Sequence, residues 1–197
     1  MKTWRTELRR SVLAVTALAV VLCGLYPLLT WLLAQGLFPG RANGSLIVRD
    51  GKVVGSRLIG QRFTGPSYFH PRPSTAGEGY DAGRSGGSNH GPLSKELMET
   101  IARRVATYRA ENGLAASTPV PADAVTASAS GLDPHISPEN AWLQAGRVGA
   151  ARGLTEAAGR GLIEACTEGR TLGFLGEPRV NVLRLNLVLD EAGHGGR

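Results

Sequence analysis

The feature that most constrains this chain is an uncharged segment near its N-terminus. No charged side chain occurs from Ser11 to Gly40, and 12 of the 23 residues from Val12 to Ala34 are Leu or Val. About 20 apolar residues suffice to cross the hydrocarbon core of a bilayer as an α-helix. A cleaved signal peptide is the alternative, but its apolar region is typically about 7–15 residues and ends in a small-x-small site. Leu32-Leu33-Ala34-Gln35 offers no such site, so we predict a retained transmembrane helix over residues 12–34.

The charges that flank this segment predict its orientation. In the first ten positions Lys2, Arg5, Arg9 and Arg10 outweigh Glu7, which gives a charge of +3 out of +6 for the whole chain. Basic residues concentrate on the cytoplasmic side of a span. We therefore predict a cytoplasmic tail over residues 1–11 and an extracytoplasmic domain, periplasmic in a Gram-negative cell, over residues 35–197. Because the remaining charge is nearly balanced and forms no basic stripe, nucleic-acid binding is not favoured.

Beyond the span, the sequence predicts a single α+β domain with a few strands and about three helices. Asp50-Gly51 is a common tight-turn pair, and the β-branched runs on both sides of it predict a hairpin over residues 46–54. Helical periodicity and capping residues predict three helices, over residues 92–112, 137–151 and 155–169. The small residues at 124–129 are predicted as a short strand or an extended segment.

Two further segments carry structural predictions. Leu183, Leu185, Leu187 and Leu189 alternate with polar residues, which predicts a half-buried strand over residues 180–190. Residues 61–92 contain seven Gly and four Pro without a helical or alternating period. They also contain four aromatic residues, which are uncommon in disordered linkers. We therefore predict an ordered, irregular surface loop there, and we predict that Cys166 is an unpaired buried thiol.

No catalytic centre follows from the motifs. The phosphate-binding pattern G-x-x-x-x-G-K-[ST] is absent. Residues 77–82 formally fit the dinucleotide pattern G-x-G-x-x-A, and residues 83–87 fit the nucleophile elbow G-x-S-x-G, but neither follows a predicted strand as both require. His70, His90, His135 and His194 are at least 20 residues apart and lack the spacing of a metal site. The sequence thus predicts a chain with neither a catalytic nor a metal site of its own.

One segment within the loop is the candidate for ligand binding: Ser85, Gly86, Gly87, Ser88 and Asn89. Gly-rich turns can point successive backbone N–H groups at an anion, and two hydroxyl groups accompany them here. The segment also loosely resembles the Ser-Gly-Gly-Gln signature of ABC ATPases. Two interpretations stay open. It is either a nucleotide- or anion-binding loop, or a turn in which Gly-Gly reverses the chain and Asn89 caps the next helix.

Six segments stand out in order along nearly the whole chain: Asp50–Ser56, Gln61–Phe63, Tyr68–Ser74, Ser85–Asn89, Val125–Pro138 and Gly176–Leu183. Together they resemble the C subunit of the Kdp-type potassium-transporting ATPase. The stretch T-A-S-A-S-G-L-D-P within the fifth segment is quite specific, and one N-terminal span accompanies the set. His90 and Gly146 depart from the family pattern and affect the expected local turn shape.

The resemblance implies a non-catalytic accessory subunit of a high-affinity ATP-driven potassium uptake complex in the bacterial inner membrane. In such a complex a channel-like A subunit selects K+, and a P-type B subunit hydrolyses ATP. The C subunit assembles with both and acts as a catalytic chaperone that raises the ATP affinity of the B subunit. ATP is therefore an implied ligand of the complex, and the partners of this chain are both subunits and the lipid bilayer.

The predicted orientation conflicts with direct contact between residues 85–89 and ATP, because ATP is cytoplasmic. We expect instead that the anchor helix packs against its partners and that the outer domain lies near the K+ entrance of the A subunit. An effect on ATP affinity would then act through a conformational equilibrium. The alternative function is a membrane-anchored extracytoplasmic module that binds an anionic ligand in the loop of residues 61–92.

Overall fold

The computed structural model describes residues 2–194, with side chains from Thr3 to Ala192. Met1, residues 195–197 and the side chains of Lys2 and His194 lie outside the described residues. The predictions for the His194 side chain and for the ends of the tail and of the C-terminal domain therefore lie outside them too. The chain divides between Leu46 and Ile47 into two units. Each unit is described by itself.

The N-terminal unit is dominated by one long helix. Its parts are α1 (Lys2–Ala19), a π-helical stretch (Val20–Leu25) and α2 (Tyr26–Leu37). Residues Thr3–Leu37 are long and apolar enough to cross a membrane, and none of the residues in the apolar window is buried within the protein. The prediction of one apolar helix is confirmed. The helix is longer than the predicted range of residues 12–34, because it also includes the basic tail before it and residues 35–37 after it.

The π-helical stretch has a cause in the sequence. Pro27 has no N–H, and its ring crowds the carbonyl four residues earlier, at Cys23. The helix widens just before the proline, where the N–H of Tyr26 bonds to the carbonyl oxygen of Val21, five residues back. The hydroxyl of Thr30 donates to the carbonyl oxygens of Tyr26 and Pro27 at 3.1 and 2.9 Å. The helix therefore continues through the proline.

The predicted hairpin is confirmed. A single turn, α3 (Pro39–Ala42), precedes β1 (Leu46–Arg49), which pairs with β2 (Lys52–Ser56). Asp50 and Gly51 have φ values of +50° and +74°. Two positive φ angles at the central positions define the turn that matches the twist of adjacent strands.

The C-terminal unit contains five helices among its described residues: α4 (Lys95–Glu111), α5 (Ala122–Val125), α6 (Pro138–Arg152), α7 (Glu156–Cys166) and α8 (Val182–His194). The three predicted helices are confirmed as α4, α6 and α7, with α4 and α7 shorter than predicted. Ser94, Ser137 and Thr155 cap them, and each side-chain oxygen accepts a backbone N–H of the first turn. The prediction for residues 124–129 was wrong at its start, because Ala122 and Asp123 begin a helical turn after Pro121. Thr126, which follows this turn, has an extended backbone.

The sheet of this unit is small. β3 (His135–Ile136), β5 (Arg179–Asn181) and β4 (Thr167–Glu168) lie in that order and are antiparallel. Val180 pairs with Ile136 on one side and Thr167 on the other. The central strand β5 is three residues long. Most backbone N–H and carbonyl groups of the unit must therefore find hydrogen-bond partners outside this sheet.

The predicted strand over residues 180–190 was wrong beyond Asn181, because residues 182–194 form α8. Asn181 caps this helix, its side-chain oxygen accepting the N–H of Arg184 at 3.1 Å. The residues at 182, 185, 186 and 189 are buried, which is the spacing of one helical face. Leu185 and Leu189 fit both a period of two and a helical period. Leucine is a strong helix former, and the cap decides the outcome.

The core lies between α6, α7, α8 and the small sheet, and one loop aromatic completes it. Its buried members include Phe69, Ile136, Val148, Ile163, Cys166, Val180, Leu185 and Leu189. The thiol of Cys166 is buried and forms no disulfide, as predicted. The unit therefore has one hydrophobic core, to which the loop of residues 61–92 contributes a side chain.

Two substitutions in α8 distinguish the observed helix from the strand predicted for these residues. The helix predicts that Asn186→Ala lowers stability more than Leu187→Ala, whereas a half-buried strand predicts the reverse. Asn186→Ala should lower the free energy of unfolding by at least about 2 kcal/mol, because two buried backbone groups of Phe69 lose their partner. Leu187→Ala should cost less, because that side chain is only half-buried. Urea unfolding of the full chain in detergent micelles, followed by circular dichroism, measures both. A larger loss from Leu187→Ala would contradict the helix.

Candidate functional site

The loop of residues 61–92 contains no helix or strand, yet side chains of two helices hold its first half. Asn186 of α8 accepts the N–H of Phe69 at 2.9 Å and donates to its carbonyl at 3.0 Å. Gln144 of α6 does the same for His70, at 2.7 and 3.0 Å. Each amide therefore takes the place of a neighbouring strand, and the prediction of an ordered, irregular loop is confirmed.

Two arginines of α6 add to this attachment. Arg147 donates to the carbonyl oxygens of Pro66 and Tyr68 at 2.6 and 3.0 Å. Arg152 donates to the carbonyl of Ser67 at 2.7 Å and to the carboxylate of Asp190 at 2.7 Å. Burial lowers the pKa of Arg147, and Glu111 opposes that shift. These bonds fix the backbone of residues 66–70 against α6.

A second cluster fixes the middle of the loop. Arg72 forms an ion pair with Asp133 at 3.0 Å, and the hydroxyl of Tyr80 donates to the carbonyl of Arg72. Burial raises the pKa of Tyr80 to about 12 against the opposing charges of Arg62 and Arg104. Burial also acts to raise the pKa of Asp133, but hydrogen bonds from His135 and Arg72 outweigh it and hold that pKa below its usual value.

The candidate residues Ser85–Asn89 lie against the segment of residues 128–131. The N–H of Gly86 and the hydroxyl of Ser85 both donate to the carbonyl of Ser130, at 2.9 and 3.0 Å. Gly86 and Gly87 are half-buried, whereas Ser85, Ser88 and Asn89 are exposed. The structure thus brings Ser85, Gly86 and Gly87 onto the neighbouring backbone of residues 129–130. Ser88 and Asn89 face solvent.

Glycine is required where these backbones meet. Gly131 has φ +66°, and a Cβ there would lie 2.6 Å from the backbone nitrogen of Ala76 and 2.8 Å from the carbonyl oxygen of Gly86. A Cβ at Gly87 would lie 3.0 Å from the carbonyl oxygen of Ala129. Three chain segments therefore pack backbone against backbone. The interpretation that Asn89 caps the next helix was wrong, because Ser94 caps α4.

The described residues 2–194 contain no group of three or more His, Cys, Asp or Glu side chains that could hold a metal ion. The formal motifs at residues 77–82 and 83–87 lie in turns that no strand or helix adjoins. Burial raises the pKa of the Cys166 thiol, which makes the reactive thiolate form less accessible. None of these features is a metal-binding site, a nucleotide-binding turn or an activated nucleophile.

Sequence reasoning missed a buried polar network between α4, α5 and α6. The hydroxyl of Tyr108 donates to the side-chain oxygen of Asn140 at 2.8 Å, and Gln144 donates to the same oxygen at 2.8 Å. Asp123 accepts the amide of Asn140 at 2.9 Å and the hydroxyl of Ser137 at 2.9 Å. The available signal was the i, i+4 pair of amides on the face of α6 that also carries Ala141 and Val148.

The chain has close relatives of known name. Residues 8–191 match the family KdpC, described as the K+-transporting ATPase, c chain. This chain belongs to the KdpC family. It is 55% identical over 193 residues to the potassium-transporting ATPase KdpC subunit of Nitratidesulfovibrio vulgaris, covering 98% of this chain and 97% of that protein.

Other relatives agree with this membership. The KdpC subunit of Koribacter versatilis is 50% identical over 186 residues, which cover 94% of this chain and 95% of that protein. The KdpC subunit of Myxococcus xanthus is 56% identical over 191 residues, which cover 95% of this chain and 87% of that protein. The resemblance inferred from the sequence is confirmed. As a KdpC-family chain, it is an accessory subunit of a potassium-transporting ATPase.

The crowding at Gly131 predicts a difference between two substitutions with the same backbone strain. Gly131 and Gly153 both have φ +66°, but a Cβ at Gly153 would meet no atom within 4 Å. Gly153→Ala should cost about 1–2 kcal/mol for the left-handed conformation alone. Gly131→Ala should cost clearly more and should increase proteolysis within residues 85–89. Urea unfolding and limited proteolysis measure this, and equal costs would contradict the packing.

The environment of His70 predicts a pH dependence of stability. Burial and then Arg147 lower the pKa of His70 below 6.5, against a raising effect of its bond to Gly65 and of Glu111. The unfolded chain therefore binds a proton before the folded chain does. Stability should be complete above about pH 7 and should fall as pH drops through 6.5 toward the folded pKa.

The substitution His70→Gln should flatten the dependence of the melting temperature on pH between about 7.5 and 5.5. His90→Gln, in an exposed part of the loop, is the matched control and should keep the slope of the unchanged chain. If His70→Gln retains the full slope, the buried neutral imidazole is not its source.

Proposed function

We propose that the chain is a non-catalytic subunit that stabilises assembly of an ATP-driven potassium uptake complex. Its partners in this proposal are a potassium-selecting A subunit and an ATP-hydrolysing B subunit. Membership of the KdpC family supports the complex. The chain would act through contacts with neighbours and with lipid.

The observation that carries the proposal is the exposed apolar helix. In the 35-residue segment Thr3–Leu37, side chains such as Leu22 and Trp31 are 59% and 58% exposed. Apolar surface of this extent is stable only in lipid or against other apolar helices. A Cβ added at Gly24 or Gly36 would meet no atom within 4 Å. Because glycine has no side chain, another helix can approach the backbone closely at these positions.

The orientation is part of the proposal. We propose that the basic tail is cytoplasmic and that the C-terminal domain is extracytoplasmic, in the inner membrane of a bacterium. A reporter enzyme that is active only outside the cytoplasm, fused after the C-terminal domain, should be active. The same reporter fused to the N-terminus should be inactive. The reverse pattern would overturn the orientation.

We further propose that any effect on the ATP affinity of the B subunit is exerted through the conformational equilibrium of the complex. Donor groups of Ser85 and Gly86 are already bonded to Ser130, which supports this over direct contact. Exposed Ser88→Ala and Asn89→Ala should leave the KM for ATP of the assembled complex unchanged. A several-fold rise in KM from either substitution, with heat of ATP binding to the isolated chain, would instead support a nucleotide loop.

Assembly through the helix predicts the effect of one charge. Leu22→Arg should destabilise insertion by about 3–4 kcal/mol, because it exchanges a favourable residue for one of the costliest at the helix centre. We expect the A and B subunits to be lost from affinity-purified material. Leu22→Met keeps the apolar character and should co-purify normally. Intact co-purification with Leu22→Arg would show that the helix is dispensable for assembly.

The alternative function is a membrane-anchored extracytoplasmic module that binds an anionic ligand in the loop of residues 61–92. It predicts that the purified chain is isolated without other membrane proteins and loses anion binding on Gly87→Pro. The proposed function predicts recovery with two larger membrane proteins from native membranes. Mild solubilisation followed by mass measurement separates the two.

A further inference from the structure

A cavity of about 400 Å³ opens where the loop, α4 and α6 meet. Its walls include His70 from the loop, Arg103, Arg104 and Thr107 from α4, and Asn140 and Gln144 from α6. Its volume lies in the range of small-ligand sites, about 300–1,000 Å³. It is lined by residues other than those of the Ser85–Asn89 segment.

The two arginines of this cavity are held by neutral oxygens. Arg103 donates to the hydroxyl of Thr100 at 2.9 Å, and Arg104 donates to the carbonyl of Val125 at 3.0 Å. Neither forms an ion pair with a carboxylate of the described residues. Arg72 and Arg152 of the same unit, in contrast, pair with Asp133 and Asp190 at 3.0 and 2.7 Å.

The local charge is therefore positive and incompletely balanced. Arg104 is half-buried, and burial followed by the charge of Arg103 lowers its pKa. The carboxylate in the cavity wall is Glu111, which lies 3.8 Å from His70. Glu111 is seven residues from Arg104, about 10 Å of helix rise along α4. It lies beside His70 and forms an ion pair with neither arginine.

We propose that the arginine end of this cavity binds a phosphate group. Arg103 and Arg104 are consecutive residues of α4 that both line the cavity, and together they carry a charge of +2. This charge matches a phosphate monoester or inorganic phosphate of charge about −1.5 to −2. A single carboxylate would balance only half of it. Guanidinium groups donate paired hydrogen bonds to phosphate oxygens, and Thr107, one turn along α4, lines the same cavity.

The test of this site does not depend on the proposed transport role, because phosphate binding is measured on the isolated full-length chain. Inorganic phosphate is titrated into the chain in nonionic detergent at low ionic strength, with calorimetry as the readout. Arg103→Gln and Arg104→Gln should each raise the Kd by about 10- to 100-fold, because each removes a charge-assisted pair. Lys95→Gln makes the same charge change on α4 outside the cavity and should alter the Kd by less than about 2-fold.

One further variant tests the sign of the charge effect, and a stability measurement on Arg103→Gln tests whether the fold is kept. Glu111→Gln removes a repelling charge and should lower the Kd for phosphate. Arg103 is exposed and makes no bond to the core, so Arg103→Gln should keep the melting temperature of the unchanged chain. A weakened Arg103→Gln variant with an intact fold therefore reports on the site itself.

A second probe, dihexanoyl phosphatidic acid in the same detergent, distinguishes a lipid headgroup from free phosphate as the ligand. Binding at least about 10-fold tighter than that of inorganic phosphate identifies a lipid headgroup, and equal or weaker binding identifies a free phosphate. Absence of saturation below about 10 mM inorganic phosphate would overturn the proposal. Equal Kd values for Arg103→Gln and Lys95→Gln would also overturn it. So would loss of binding on Gly87→Pro without loss on Arg103→Gln.

Discussion

The C-terminal domain depends on side-chain amides that satisfy the backbone of an irregular loop. A buried N–H or carbonyl without a partner costs about 1–3 kcal/mol. The strands of the small sheet are two or three residues long, so the sheet satisfies few such groups. Asn186 and Gln144 satisfy both backbone groups of Phe69 and of His70. These four bonds let Phe69 enter the core although no strand brings it there.

The same principle explains where glycine is needed. The loop does not pair in a ladder, so its second half is stabilised by close approach of backbones at Ala76, Gly86 and Gly131. The hydroxyl of Ser74 accepts the N–H of Tyr80 at 2.8 Å and donates to the carbonyl of Gly131 at 2.6 Å. Small residues and hydroxyls take the place of a hydrophobic interface. The T-A-S-A-S-G segment is thus a packing surface for the candidate loop.

Local signals predicted much of the fold. The capping residues Ser137 and Thr155 and the Asp50-Gly51 turn act within a few residues, and the helices and hairpin they mark were confirmed. The uncharged N-terminal segment likewise predicted the long apolar helix from its own composition. The failure at residues 182–190 has a different origin: four leucines alternate as in a strand, and two of them, Leu185 and Leu189, also fit a helical period. The cap at Asn181 decides between them, and its role depends on the neighbouring strands.

The candidate loop could be found from sequence, but its surroundings could not. Ser85–Asn89 stood out by composition, whereas the acceptor at Ser130 lies 45 residues away along the chain. The arginines of the cavity could not be predicted as a site either, because the pattern around Arg103 and Arg104 is that of the solvent-exposed face of an amphipathic helix. Their lack of a carboxylate partner appears only when α4, α5 and α6 are packed. Long-range polar contacts are not encoded in any local period.

The attachment network and the cavity share residues, which ties ligand binding to the rigidity of the domain. Gln144 and His70 are bonded to each other by two hydrogen bonds and also line the cavity. Arg147 donates to the same amide oxygen of Gln144 and to the loop carbonyls, so a shift of this amide would be felt along residues 66–70. Arg104 and Gln144 line the same cavity, so an anion bound there would lie between α4 and the amide that holds the loop to α6. A rigid domain can alter the equilibrium of a partner only through its position and surface, and this shared amide is where a bound ligand would change both.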